Sequence, residues 1–194
     1  MAITGSTTNV MVLLSGGIDS SACVGFYTSK KSSVTALFID YGQASRRHER
    51  RAATCISNHF GIPLRCLSLK GAAQKCKGEI LARNAFLLYT ALLEFPYRSG
   101  IIAIGIHAGT PYFDCSAKFI RSCQILFDTY ADGRVQIGTP FLDWTKGEIW
   151  TYSLQQSLPL AMTYSCELGH RQPCGKCLSC KDLEVLHAGA KHNN

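Results

Sequence analysis

The hydrophobic pattern opens on Val10-Met11-Val12-Leu13-Leu14, a continuous apolar run that predicts a strand buried on both faces of a parallel sheet. Ser15-Gly16-Gly17-Ile18-Asp19-Ser20-Ser21 follows, a glycine turn leading into a helix that Asp19, Ser20 and Ser21 are expected to cap. Ala22, Cys23, Phe26 and Tyr27 recur at helical spacing and predict that helix over 19–29. A second apolar run predicts a strand over 34–39, ending in Asp40-Tyr41-Gly42-Gln43. Strand, glycine turn and helix N-terminus in this order make a cradle for an anion, because the first helix amides have no intrahelical partner and the helix dipole favours negative charge.

The alternation continues. Ala53, Ile56 and Phe60 predict a helix over 46–60, stopped by Gly61-Ile62-Pro63, and a short strand over 64–69 follows. Residues 70–78 are aperiodic and read as a loop; a Leu- and Ala-rich helix is expected over 79–95, stopped by Pro96. The next strand is expected over 101–106, a helix over 115–130, a short strand near Gln136, and a helix over 145–156. After Pro159 the alternation stops. The expected architecture is α/β, a Rossmann-like doubly wound parallel sheet over 1–160 with a small C-terminal segment over 161–194. Ligands in such sheets sit beyond the carboxyl ends of the strands, so 15–19, 40–43 and 105–110 should converge on one mouth.

Composition changes little. The 194 residues are 46% apolar and 17% charged, suited to one globular body, and the net charge of +7 favours anionic partners without choosing among nucleic acid, ATP and carboxylates. The densest basic group, Arg46-Arg47-His48 with Arg50 and Arg51, is interrupted by Glu49 and reads as a solvated helix face or a phosphate clamp. With no apolar leader and no stretch of spanning length, the expected setting is the cytoplasm, with no membrane partner.

The ten cysteines matter more. Cys166, Cys174, Cys177 and Cys180 cluster among glycines and polar residues, at spacings that let four thiolates converge from a tight turn. Structural Zn²⁺ is the favoured reading, ahead of an iron–sulfur cluster and of disulfides, since a small segment without a core needs a metal staple. His170 lies near the cluster but is read as a surface residue.

The turn is neither a Walker loop, because no Gly-Lys-Ser/Thr follows, nor a G-x-G-x-x-G fingerprint. Ser15-Gly16-Gly17-Ile18-Asp19-Ser20 resembles the PP-loop of ATP pyrophosphatases. Taken in order with Asp40-Tyr41-Gly42-Gln43, Ala82-Arg83-Asn84, Asp114-Cys115 and the four cysteines, it makes the chain resemble the 7-cyano-7-deazaguanine synthase (QueC) family over nearly its whole length. That resemblance implies adenylation of 7-carboxy-7-deazaguanine by ATP with Mg²⁺, then reaction with ammonia through an amide to the nitrile, in a homodimer. It implies that Ser15, Gly16, Gly17, Asp19 and Ser20, with Asp40, Arg83 and Asn84, hold ATP; that Asp19, Arg83 and Lys146 act in the chemistry; and that Tyr41, Gln43, His107, Asp114 and Phe119 hold the deazaguanine. Without it, Arg83 and Lys146 read as solvated helix residues and Asp114 as a helix cap before Cys115.

The chain departs from the family pattern at Asp114-Cys115-Ser116-Ala117-Lys118-Phe119, where Asp-Cys-Arg-Pro-Glu-Phe is usual. His107 replaces a common asparagine, and the loop over 70–78 is short. These changes fall in the substrate region and open an alternative, a QueC-like antiphage-defence enzyme that joins the activated acid to a partner protein's amine. A nucleotide-binding regulatory or tRNA-binding zinc protein is the second alternative.

Overall fold

The computed structural model describes residues 7–71 and 80–191. Five parallel strands form one sheet in the order β3-β2-β1-β4-β5: β1 Asn9–Leu13, β2 Ser33–Asp40, β3 Leu64–Ser68, β4 Gly100–Ala103 and β5 Val135–Gly138. Strand β1 is central, pairing Val10 with Val34 on one side and with Ile101 on the other. The continuous apolar runs explain this burial, because alternate side chains enter opposite layers. Val10, Val12, Val34, Ala36 and Phe38 pack into one, Met11, Leu13, Leu37 and Ile39 into the other.

Helices α1 (Ile18–Ser29), α2 (Arg46–Phe60) and α5 (Lys146–Gln155) cover the first face, and α3 (Arg83–Glu94) and α4 (Ala117–Ala131) the second. The order β3-β2-β1-β4-β5 reverses direction between β1 and β4, which opens a crevice at their carboxyl ends.

Several local expectations are corrected. Helix α1 is capped by Gly17 with no side-chain hydrogen bond, because Asp19 turns to Lys146 and the Ser20 hydroxyl donates to Gly17 O at 3.0 Å. Strand β4 ends at Ala103, although Ile104 and Ile106 beyond it remain buried. Helix α4 begins after a 3₁₀ turn, Phe113–Cys115, and its cap is Ser116, whose hydroxyl accepts from Phe119 N. Asp114 does not cap that helix; its Oδ2 accepts from Asn84 N at 3.1 Å, in the first turn of α3. Helix α3 starts at Arg83, and the expected loop over 70–78 lies mostly outside the described residues. The segment after Pro159 also holds an unexpected helix, α6 (Leu178–Lys191).

Candidate active site

The loop after β1 is built by close packing. Gly16 has φ +85°, a left-handed conformation, and a Cβ there would lie 2.7 Å from both Glu49 O and Ala52 Cβ of α2. Gly105, past the end of β4, allows a second close approach, since its Cβ would lie 2.7 Å from the Asp19 carbonyl carbon. The start of α1 is therefore wedged between α2 and the β4 crossing. Ser15 and Ser20 hydroxyls lie 3.1 Å apart at the turn.

Helix α5 brings the cation. Thr145 and Glu148 form a capping box: the Thr145 hydroxyl accepts from Glu148 N, and Glu148 Oε2 accepts from Thr145 N at 2.6 Å. This defines where α5 starts and sets Lys146 as its first residue, with Nζ donating to Asp19 Oδ1 at 2.6 Å. His107 Nε2 lies 4.0 Å from the same carboxylate, and its Nδ1 is 2.5 Å from Ala108 O.

At the end of β2 the Asp40-Tyr41-Gly42-Gln43 turn is self-organised. Asp40 Oδ1 accepts from Gly42 N, and Gln43 Oε1 accepts from Tyr41 N while its Nε2 donates to Ile39 O and to Glu49 Oε2. The Ser45 hydroxyl donates to Glu49 Oε1 at 2.6 Å. Burial raises the Glu49 carboxyl above its ordinary range, against the opposing pull of those two donors and of Arg83. Burial also pushes the Tyr41 phenol up to about 12, with Arg83 pulling it back. Asn84 is buried, and its amide donates to Asp114 O while its Oδ1 accepts from Arg83 Nε at 3.1 Å.

These groups share one cavity of about 300 Å³. Ser15, Gly17, Asp19, Ser20, Tyr41, Gln43, Arg83, Asn84 and Lys146 line it. Gly16, Asp40, His107, Asp114 and Phe119 do not: Gly16 is buried against α2, Asp114 is tied to Asn84, and Phe119 is buried in the core beside Phe113. Phe119 is thus a packing residue of α4, because Ser116 starts the helix with that side chain turned towards the sheet.

Two parts of the lining escaped the sequence reading. Glu49 stood in the basic group as a mere interruption, and its signal was the helical spacing that turns it inward beside Ala52 and Ala53. Tyr164, Ser165, Glu167, Ser179 and Leu183 close the cavity from the C-terminal segment. Tyr164 N donates to Gly16 O at 2.9 Å, and the Tyr164 ring stacks on His48 with centroids 4.9 Å apart.

The same segment carries the four cysteines. The sulfurs of Cys166, Cys174, Cys177 and Cys180 all lie within 4.8 Å of one another. Four thiolates about 2.3 Å from a tetrahedral ion would lie at such separations, so the donor set fits a bound metal. Cys174 Sγ accepts from Lys176 N and Cys177 N, each at 3.4 Å, and these amides hold its thiol down at about 6. Glu167 is not a fifth ligand: its Oε1 accepts from Ser179 N and Oγ, capping α6 beside Cys180.

A parallel five-stranded sheet whose first strand runs through a Ser-Gly-Gly-x-Asp-Ser turn into a helix defines a PP-loop nucleotide-binding α/β protein. Within that class, this chain belongs to the QueC family: the family model described as Queuosine biosynthesis protein QueC matches residues 9–84 and 73–185. It is 30% identical to a 7-cyano-7-deazaguanine synthase from Prochlorococcus marinus, over 96% of each chain. It is 30% identical to one from Aquifex aeolicus, over 93% of this chain and 96% of that one. In fold it is similar to the solved structure of NMN synthetase from Francisella tularensis, with a TM-score of 0.52 and 14% identity over 97% of this chain and 87% of that one.

Proposed function

We propose that this protein is an ATP-dependent carbon–nitrogen ligase that adenylates 7-carboxy-7-deazaguanine and converts it, with ammonia, through the amide to 7-cyano-7-deazaguanine. The observation that carries this reading is the convergence of the PP-loop, Arg83 and Lys146 on one cavity in a chain that aligns nearly end to end with relatives of that name.

A carboxylate is a poor electrophile, and joining it to AMP supplies a leaving group. The carboxylate oxygen attacks the α-phosphorus while pyrophosphate departs, so the site must hold three charged groups in line. Ser15, Gly17 and Ser20 with the α1 amides face the phosphates. Lys146 and Arg83 offset the charge that develops on the leaving pyrophosphate, and Asp19 keeps the Lys146 ammonium oriented until ATP binds. Asp19 is also the carboxylate placed to hold Mg²⁺, which would supply further charge neutralisation on the phosphates. Tyr41, Gln43 and Asn84 shape the deazaguanine end; His107 and Asp114 act behind them, His107 on Asp19 and Asp114 on Asn84.

Zn²⁺ is the metal we assign to Cys166, Cys174, Cys177 and Cys180, as a structural staple for residues 161–194 against the body at 1–160. The reading includes a homodimer in the cytoplasm; among the described residues, no helix is long and apolar enough to cross a membrane.

The test is incubation with ATP, Mg²⁺, 7-carboxy-7-deazaguanine and ammonia, with products read by mass spectrometry. Nitrile accumulation is expected. Amide alone, or deazaguanine mass on a protein, supports the conjugating alternative, and absence of pyrophosphate release overturns the ligase reading. Elemental analysis should return zinc; iron with acid-labile sulfide overturns the staple.

A further inference from the structure

Among the described residues, three carboxylates line the cavity, Asp19, Glu49 and Glu167. Asp19 is bound by the Lys146 ammonium, and Glu167 caps α6. Glu49 is left. It sits on the α2 turn against which the phosphate loop is packed, with its backbone oxygen at the Gly16 contact. Its two oxygens are aimed by neutral donors, the Gln43 amide at 2.8 Å and the Ser45 hydroxyl at 2.6 Å, which orient the carboxylate without neutralising it.

We propose that Glu49 is the general base that takes nitrogen-borne protons at this site, a role that rests on the ligase reading above. Adenylation of a carboxylate releases no proton, so the first step needs no base. The later steps do. Ammonia attacks the acyl carbon, the C–N bond forms, the C–O bond to AMP breaks, and one N–H proton must leave to give the neutral amide. The amide oxygen then attacks the α-phosphorus of a second ATP and pyrophosphate leaves, with loss of an N–H proton. In the elimination that follows, the last N–H electron pair becomes the third carbon–nitrogen bond, AMP leaves with the C–O pair, and the final proton is lost. Glu49 accepts each in turn and returns it to solvent between steps.

The environment makes this carboxylate more basic than an exposed one. Burial raises the Glu49 carboxyl, and Asp40 across the turn adds to this, while Ser45, Gln43 and Arg83 of α3 oppose it. Tyr41 and Tyr164 also face it, and burial raises the Tyr41 phenol, so that it stays neutral while Glu49 titrates.

The experiment separates the steps by pre-steady-state kinetics with ATP and acid in excess of enzyme, at constant free ammonia. In Glu49→Gln a burst of pyrophosphate, one per enzyme, should remain with 7-carboxy-7-deazaguanine, while amide formation falls by roughly 10²- to 10⁴-fold. Glu49→Asp should recover part of that loss. Ser45→Ala removes a donor that stabilises the charged form and should move the lower limb of the pH profile for amide formation upward. Amide formation within a few-fold of wild type in Glu49→Gln, loss of the burst along with it, or an unmoved profile in Ser45→Ala overturns the proposal. A wild type that releases no pyrophosphate overturns the ligase reading itself, which the Glu49→Gln comparison alone would not do.

Discussion

The two walls of the cavity are held by different physics. The PP-loop wall hangs from strand β1 and helix α1, whose Val10, Val12, Ala22, Cys23 and Val24 are fully buried, so its geometry is a by-product of the hydrophobic core. The opposite wall, Tyr164 to Leu183, carries a small buried cluster made of the cysteines themselves, with Tyr164 and Leu168 packed on it, and meets the main core through Leu183. Burial of that apolar surface offsets only part of the entropy of ordering the segment, and the proposed metal on the four cysteines supplies the rest. On the proposed zinc reading one wall is shaped by the core and the other by coordination, and the two should fail in different ways.

The largest effect is expected on the core-held wall. Lys146→Ala leaves the Asp19 carboxylate without its ammonium at the phosphate loop and should lower pyrophosphate release by roughly 10²- to 10³-fold, read by a coupled assay, with little change in the melting of the fold. On the other wall, Cys177→Ser, or stripping the metal with a chelator, should cost on the order of 10²-fold in the same assay, as expected for a lining displaced by about 1 Å. Circular dichroism of the sheet should persist, and a wall held by packing alone would keep its activity after the metal is gone.

Gly16→Ala tests how tightly the loop depends on the body. The residue must hold φ +85° with a methyl against the α2 backbone, so a loss of about 1–3 kcal/mol in denaturant unfolding is expected, together with loss of ATP binding. The smallest effect belongs to Thr145→Ala, which breaks the capping box and should cost about 1 kcal/mol in unfolding while loosening Lys146 enough to raise KM for ATP more than it lowers kcat.

Much of this was legible in the chain. Continuous apolar runs separated by helical periodicity gave away a parallel sheet, and two of the errors came from short polar side chains that hydrogen-bond elsewhere than expected. Asp19 looks like a helix cap until α5 presents Lys146 to it, and Asp114 looks like the cap of α4 until α3 presents Asn84. Phe119 lay within the stretch where the resemblance put the second substrate, yet one turn of helix registry carries it into the core.

The sequence by itself determined the strand-turn-helix of the loop and the cluster of four cysteines, because these depend on local periodicity, turn chemistry and spacing along a few residues. Only the tertiary structure decided which charges meet. Lys146 reaches Asp19 across 127 positions, Glu49 faces the cavity because α2 packs on Gly16, and Tyr164 returns from the far end of the chain to donate to the loop. Those contacts follow from how crossover helices pack on a twisted parallel sheet, a long-range outcome that no local window of the chain contains.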